Sequence, residues 1–412
     1  MRDMGRSDDP RVQAQLDRLG SLSSQRDTLG LDAVRELMRR LGNPHKRLPP
    51  TFHVAGTNGK GSTCAFLRAM LEAEGYRVHV TTSPHLVRYN ERFRVAGKLI
   101  EDARLAELLE QVFDAAEGLD CSFFEISIAA AFVEFARVPA DACVVEVGLG
   151  GRLDATNVLE PDALAACGIA ALGIDHEKFL LAPEEGVPQE PMARIAFEKA
   201  GIAKQGVPLV TIAQPEQEKQ AIEAVANAAG APVFVASRMD ERELALPGDH
   251  QGLNAGLAIA MLRAQSKIDV SDNAIAVGLR TASWPARLHR LADGPLTQGR
   301  EVWLDGGHNA SAGAMLGAHF AGHKVHLVIG MIEGKDPAAL VAPLAASLET
   351  ITVVPVPGFP CHPPEAFGAT AASASDVSKA IDGLPDDGLP VLIAGSLYLA
   401  GEVLRLNDEI PD

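Results

Sequence analysis

The run Phe52-His53-Val54-Ala55-Gly56-Thr57-Asn58-Gly59-Lys60-Gly61-Ser62-Thr63 constrains this chain more than any other stretch: an apolar lead-in of strand length passes into a glycine-rich turn, a lysine and hydroxyls. Glycines let successive backbone N–H groups converge on an anion with no Cβ in the way, and a following helix offers its free first-turn amides and positive dipole end. Lys60 adds a point charge there. The spacing departs from the common G-x-x-x-x-G-K-[ST] form, because Val54 stands where the first glycine would fall and Gly61 separates Lys60 from Ser62. The chemistry is that of a phosphate cradle, and the bland alternative is a glycine-rich turn without a ligand.

Around this loop the pattern is β-loop-α-β. A strand over 52–55, a helix over 62–74 and a strand over 77–82 predict a parallel, doubly wound sheet. Upstream, residues 10–42 carry helical periodicity, with Leu29, Leu31, Val34, Leu37, Met38 and Leu41 on one face before Gly42-Asn43-Pro44. Downstream come helices over 102–118 and 122–133, a buried strand over 141–147 running into Gly148-Leu149-Gly150-Gly151-Arg152, and a strand over 163–174 ending in Asp175-His176. Residues 180–191, rich in Pro, Glu and Gly, read as an exposed loop before a helix over 192–200 and a strand over 207–212. Pro247 to Asn254 introduces an alanine-rich helix to about Arg263, and Trp284-Pro285-Ala286-Arg287 reads as the exit from a first domain.

From about residue 290 the pattern restarts. Strands at 302–305, 325–329, 351–355 and 391–394 alternate with helical segments at 310–320, 336–348, 373–383 and 397–405. The expected architecture is α/β: a P-loop-containing, doubly wound, mostly parallel sheet domain over 1–288, with an N-terminal helical segment, and a smaller Rossmann-like α/β domain over 289–412.

Composition narrows the partners. A chain of 412 residues with 47% hydrophobic residues has enough apolar material for more than one core. A net charge of −17 argues against nucleic acid or anionic membrane as a general partner, so any anionic ligand must be met locally, by Lys60, Arg88, Arg92, Arg94 or Arg152. Five widely spaced cysteines without a C-x-x-C pair suit reduced thiols in a cytoplasmic protein. No apolar run approaches the roughly 18 residues of a membrane span.

Three donors fall at strand ends after the glycine loop: Ser83, Glu146 and His176. Ligands of open parallel sheets bind at those ends, so the three are candidate Mg²⁺ ligands, with His176 the weakest because Mg²⁺ favours oxygen. Their bland roles are a turn hydroxyl for Ser83 and a paired buried acid for Glu146. Asp305 and His308, in Asp305-Gly306-Gly307-His308-Asn309, mark a second strand-to-turn junction that side-chain hydrogen bonds alone could explain. His250, Gln251 and Asn254 could simply cap a helix, and Lys199 could be an ordinary helix lysine.

The ordered set V-A-G-T-N-G-K-G-S-T, T-S-P-H-L, Y-N-E-R, F-F-E, V-G-L-G-G-R-L-D-A-T-N, I-D-H, F-E-K-A-G-I, H-Q-x-x-N-A and L-D-G-G-H-N resembles the folylpolyglutamate synthase/dihydrofolate synthase family of Mur-ligase-like, ATP-dependent amide ligases. The resemblance implies that Gly56, Thr57, Asn58, Gly59, Lys60, Gly61 and Ser62 hold the ATP phosphates, and that Asn254, Arg287 and Asp305 also contact ATP. It implies Ser83, Glu146 and His176 as magnesium ligands, Lys199 as a carbamylated lysine, and His308 as the second-domain histidine of the catalytic set with Lys60 and Lys199. Phe124, Asp154 and Ala155 fall where the pterin-bearing substrate is held. Segment 177–191 is longer and richer in Pro and Glu than the family's short connection, so an excursion that returns to the usual place is expected.

The function so implied joins L-glutamate to dihydropteroate and to the glutamate tail of reduced folates through an acyl phosphate, with ATP and Mg²⁺ as cofactors and a monovalent cation such as K⁺ as a further candidate. The expected partners are these small molecules alone, and the expected state is a monomer. Folylpolyglutamate synthase activity alone is the nearest rival. A non-catalytic nucleotide-binding relative is the reading from another class; it would be marked by loss of residues such as Glu146, Lys199, Asp305 and His308, all of which are present.

Overall fold

The computed structural model describes residues 7–22 and 30–411, which form two compact units: one up to Ala245 together with His250–Ser283, the other Leu246–Asp249 together with Trp284 onward. The N-terminal periodicity resolves into two helices, α1 (Pro10–Leu22) and α2 (Asp32–Arg40), which bury Val12, Leu16, Leu19, Val34, Leu37 and Met38. Leu29, expected on the same face, lies outside the described residues.

The strands of the first unit are β1 (Thr51–Ala55), β2 (Val78–Thr81), β3 (Arg94–Val95), β4 (Lys98–Leu99), β5 (Ala142–Glu146), β6 (Leu164–Ile169), β7 (Leu209–Thr211) and β8 (Val233–Val235). They form one sheet in the order β4-β3-β2-β5-β1-β6-β7-β8, parallel from β2 to β8, with β3 and β4 added antiparallel at one edge. Every residue of β1, β5 and β6 is buried, as expected of parallel strands covered on both faces. Strand order runs one way from β1 to β2 and the other way from β6 to β8, so the carboxyl end of β1 is the switch point where such sheets bind ligands.

Helices α3 (Lys60–Ala73), α4 (Asp102–Ala115), α5 (Phe123–Arg137), α6 (Glu177–Leu180), α7 (Pro191–Ala200), α8 (Glu216–Ala229), α9 (Gln251–Ala264) and α10 (Asp272–Thr281) accompany the sheet. Their starts are written in the chain. Ser122 and Glu125 form a capping box on α5, Glu190 caps α7 ahead of Pro191, and Ser271 caps α10. Strand β6 ends at Ile169, earlier than the expected strand to 174, and residues 170–176 continue without regular structure.

The second unit holds β9 (His289–Arg290), β10 (Val302–Asp305), β11 (Val325–Ile329), β12 (Leu348–Val353), β13 (Ala372–Ser373) and β14 (Val391–Ala394) in the order β13-β12-β11-β14-β10-β9, parallel except for β9. Its helices are α11 (Ala310–His319), α12 (Pro337–Val341), α13 (Val377–Asp382) and α14 (Leu397–Leu406). The helix expected over 336–348 is broken: α12 passes at Ala342 into a 3₁₀ turn containing Pro343, whose missing N–H and ring clash with the carbonyl four residues back oppose continued α-helix. The fold is thus an α/β pair of parallel-rich sheets.

Helix α10 lies so close to α3 that a Cβ on Gly278 would stand 2.5 Å from both N and Cα of Met70. Gly278→Ala is therefore expected to destabilise the protein by about 1–3 kcal/mol through overpacking. Gly20→Ala on α1, where nothing lies within 4 Å, should be neutral or stabilising by up to about 1 kcal/mol. Urea midpoints of the two variants check this, and equal midpoints would contradict the packing argument.

Candidate active site

Loop 56–59 leaves the switch point under close steric control. Gly56 has φ 155° and a Cβ there would lie 2.9 Å from that of Ala170; Gly59 has φ 83° and a Cβ there would collide with the Asn254 carboxamide. Thr57 N and Asn58 N donate to the carbonyl of Ala171 (2.8 and 3.2 Å), so these two amides are committed to protein. The amides free of intrahelical partners by helix geometry are those of the first turn, Gly59 to Ser62. Lys60 Nζ lies over the same loop, 3.1 Å from Gly56 O and 3.4 Å from Thr57 O.

Asn254, on α9, packs directly on Gly59 and is joined to the start of α3 through a neighbour as well: its Nδ2 donates to Gln251 Oε1 (2.9 Å), and Gln251 Nε2 to Ser62 Oγ (3.4 Å). Gln251, fully buried, is thus a link between α9 and the phosphate loop. The i,i+3 spacing of Gln251 and Asn254 on one helix face was the available signal.

Lys199 lies near the end of α7, fully buried. Burial and then the nearby charge of Lys60 bring its pKa from 10.5 down to about 7, against the opposing pull of Asp175, Asp154 and Glu198. The expected Lys60, Lys199 and Asp154 therefore share one electrostatic neighbourhood, and Asp175 joins them without having been singled out from sequence. Asp154 accepts from Leu149 N (2.8 Å), Thr156 N (3.0 Å) and Thr156 Oγ1 (2.5 Å). Because that hydroxyl donates to a carboxylate, it must accept from His53 Nε2, 2.8 Å away, which makes His53 the Nε2–H tautomer. Burial, then Lys204, holds His53 neutral with a pKa of about 3. Burial raises the Asp154 pKa, while its donors and Lys60 oppose the rise. Ala155 is buried in the turn that Asp154 caps.

Glu146 ends β5 and accepts from Ser83 N (2.9 Å), so two of the three candidate metal ligands meet directly. Both line a small pocket with Thr82, Arg92 and Phe124, the last packed onto Gly148 with no room for a Cβ. His176 is 45% exposed, has φ 54°, and stands with Nε2 3.9 Å from Asp175 Oδ2. Among the described residues no group of three or more His, Cys, Asp or Glu side chains could hold a metal by itself. A buried carboxylate beside a serine at a strand end nonetheless suits a hard cation, which keeps part of its shell for substrate and water. Of the expected cations, Arg92 is buried, donating to His85 Nδ1 (3.0 Å), and Arg152 is held by Glu184 and Glu198 (2.6 and 2.9 Å).

In the second unit Asp305 is buried with both oxygens used: Oδ2 accepts from Leu288 N (2.8 Å) and Oδ1 from Gly307 N (2.7 Å). It thereby fixes the turn carrying Arg287, whose flanks Ala286 and Leu288 have φ 59° and 45°. Burial raises the Asp305 pKa, and Arg287 counters it. His308 Nδ1 is 3.0 Å from Gly306 O, and Asn309 caps α11.

No protein-family model matches the chain. The dihydrofolate synthase/folylpolyglutamate synthase of Bacillus subtilis (strain 168) is 33% identical over 427 residues, covering 91% of this chain and 94% of that protein. Escherichia coli FolC in complex with DHPP and ADP superposes with a TM-score of 0.83 at 31% identity, covering 96% of this chain and 97% of that one. The bifunctional folylpolyglutamate synthase/dihydrofolate synthase of Yersinia pestis complexed with AMPPNP and Mn ion gives 0.81 at 30%, with the same coverage. A phosphate loop at the switch point of one α/β unit, followed by a second α/β unit and matched along its whole length in this way, defines an ATP-dependent amide ligase that uses a divalent cation. Within that class, the chain belongs to the dihydrofolate synthase/folylpolyglutamate synthase family.

The Lys199 shift has a signed consequence. Between pH 7 and 10.5 the unfolded chain holds a proton on Lys199 that the folded chain lacks, so this residue makes stability rise as pH rises through that window. Lys199→Met removes that contribution. In CO₂-free buffer, the gain in urea midpoint from about pH 7 to pH 10 should be smaller in the variant than in the parent, and equal gains would refute the depressed pKa.

Proposed function

We propose that this ligase carries both activities of its family, joining L-glutamate to dihydropteroate and to the glutamate tail of reduced folates. The observation that supports the reading is that the neighbouring strands β1 and β5 end in the first-turn amides with Lys60, whose charge acts on buried Lys199, and in Glu146 bonded to Ser83. The amides and lysines suit phosphate and carboxylate anions, and the Glu146-Ser83 pair suits a cation that would accompany them.

The chemistry proceeds in two displacements. A substrate carboxylate oxygen attacks the γ-phosphorus of ATP, forming an acyl phosphate and releasing ADP. The glutamate amine then attacks the acyl carbon, loses its proton, and expels phosphate. A carboxylate is a poor acyl donor to an amine, and the mixed anhydride supplies the leaving group. Most of the catalysis is positioning and charge neutralisation. In this reading Lys60 and the amides of 59–62 hold the phosphates, Asn254, Arg287 and Asp305 serve ATP, and His308 completes the catalytic set. Phe124, Asp154 and Ala155 form the pterin end. A divalent cation at Ser83, Glu146 and His176 supplies charge neutralisation for phosphoryl oxygens.

Lys199 enters as a carbamate. Its amine is neutral in a large fraction of molecules near pH 7, so the nitrogen lone pair can add to CO₂ with release of one proton. The product is an anion that attracts a cation where an ammonium would repel it. Intact-protein mass spectrometry under bicarbonate should show a gain of one CO₂ that acid removes, absent in Lys199→Met; no gain would refute the carbamate.

The same reading assigns the phosphate loop and most ATP contacts to residues 1–288 and glutamate ligation to 289–412, in a cytoplasmic monomer without nucleic-acid or membrane partners. The net charge of −17 and five free cysteines support it. Among the described residues no helix is long and apolar enough to cross a membrane.

An ADP-release assay decides between the two activities. Dihydropteroate and tetrahydrofolate should each support glutamate-dependent ADP release, and Lys60→Ala should lower both by about a hundredfold or more, as loss of one oxyanion donor does elsewhere. ADP release with tetrahydrofolate but not dihydropteroate would leave folylpolyglutamate synthase activity alone. Release with neither would leave the non-catalytic reading.

A further inference from the structure

Residues 170–176 form the bridge between β6 and the segment bearing Asp175 and His176, and they have no regular structure of their own. The hydrogen bonds that hold the first half of this bridge go to the end of β1 and to the glycine loop that follows it. Ala170 N donates to Ala55 O (2.8 Å), and the carbonyl of Ala171 accepts from both Thr57 N and Asn58 N. The Thr57 hydroxyl then closes on Gly173 from both sides: Oγ1 donates to Gly173 O (2.7 Å) and accepts from Gly173 N (3.1 Å). The Thr57 methyl lies 3.6 Å from where a Gly173 Cβ would stand. A threonine hydroxyl has one proton, and here Gly173 O receives it. Thr57 thus turns its amide, its hydroxyl proton and one oxygen lone pair towards the bridge.

We infer that Thr57 is a positioning residue rather than a phosphate ligand: it ties the phosphate loop to the 171–173 bridge and so fixes where Asp175 and His176, two and three residues beyond Gly173, stand relative to Lys60 and Lys199. The inference rests on the proposed roles of His176 and Lys199. Its physical basis is that Asp175 acts on Lys199 electrostatically while its own backbone lies in an irregular, half-exposed segment. Such a segment keeps a fixed distance only if its anchors do, and Thr57 supplies anchors at both Ala171, through its amide, and Gly173, through its hydroxyl.

Thr57→Val keeps the methyl and the shape and deletes both hydroxyl bonds; Thr57→Ser keeps both bonds. Hydrogen exchange on the ligand-free protein should show faster exchange at the amides of Thr57, Asn58 and Gly173 in Thr57→Val, by about tenfold, the equivalent of one lost hydrogen bond. Thr57→Ser should match the parent. Mn²⁺ binding in the presence of ADP, followed by electron paramagnetic resonance, should weaken about ten- to a hundredfold in Thr57→Val and recover in Thr57→Ser. ADP binding in EDTA should stay within about twofold of the parent in both, because no phosphate contact has been removed. An equal loss of metal-free ADP affinity would make Thr57 a phosphate ligand and overturn the inference. So would unchanged exchange and Mn²⁺ affinity. Thr57→Ala serves the same comparison if Thr57→Val does not fold. A parent protein that binds neither ADP nor Mn²⁺ would instead refute the ligase reading, with the exchange data still judging the tie.

Discussion

A buried ammonium beside a second positive charge is held only at high cost, and the site is organised around that constraint. Lys60 comes from the loop after β1 and Lys199 from the end of α7, and burial with Lys60's charge takes Lys199 down to a pKa of about 7. Helix α7 is in turn set by Gly151, where a Cβ would lie 2.9 Å from Glu198 O, and by the Arg152 amide donating to that same carbonyl (2.7 Å). The turn after β5 thus seats the lysine, and the same turn carries Asp154. Moving any of these elements would change how the lysine and the acids around it share charge.

What the chain discloses by itself is whatever has a local physical cause. The central strands were legible because a parallel strand covered on both faces is a continuous apolar run, and the phosphate loop because glycine, lysine and hydroxyls at that junction have few other uses. Two-residue strands such as β3 and β4 carry no periodicity and were not found. Helix α8 could have been, since Pro215 and Gly230 bracket it, and so could α10 from its Ser271 cap.

Site chemistry was legible as residue types and much less so as roles. Ser83 and Glu146 meet as their strand-end positions suggest, yet nothing in the sequence says that Asp305 spends both oxygens on Leu288 and Gly307, or that His53 and Thr156 stand behind Asp154. These are contacts between residues 17 and 103 positions apart, for Leu288 with Asp305 and His53 with Thr156, made by tertiary packing. Arg152 shows the converse. Counted as one of the cations near the loop, it is saturated by Glu184 and Glu198 and lies 5.3 Å over the Phe197 ring, so its charge is spent on structure.

That saturation explains how the long 177–191 segment coexists with an ordered site. Glu184 leaves the excursion to bind Arg152 at 2.6 Å and Arg194 at 2.8 Å, and Glu190 ends it by capping α7. The bonds differ in weight. Glu184 is 41% exposed, so its pairs are solvent-screened and contribute roughly 0–1 kcal/mol each. Arg194 and Glu198 are 6% and 4% exposed and 3.0 Å apart, where an unmatched charge would be far costlier than at the rim. That inner pair lies within α7; what ties the helix, and with it Lys199, to the turn after β5 is Glu198 bound by the Arg152 side chain and amide, while the outer glutamate only fastens the excursion over it. The placing of Lys199 is therefore set by helix α7 and its tie to the turn after β5, and neither depends on the length of 177–191.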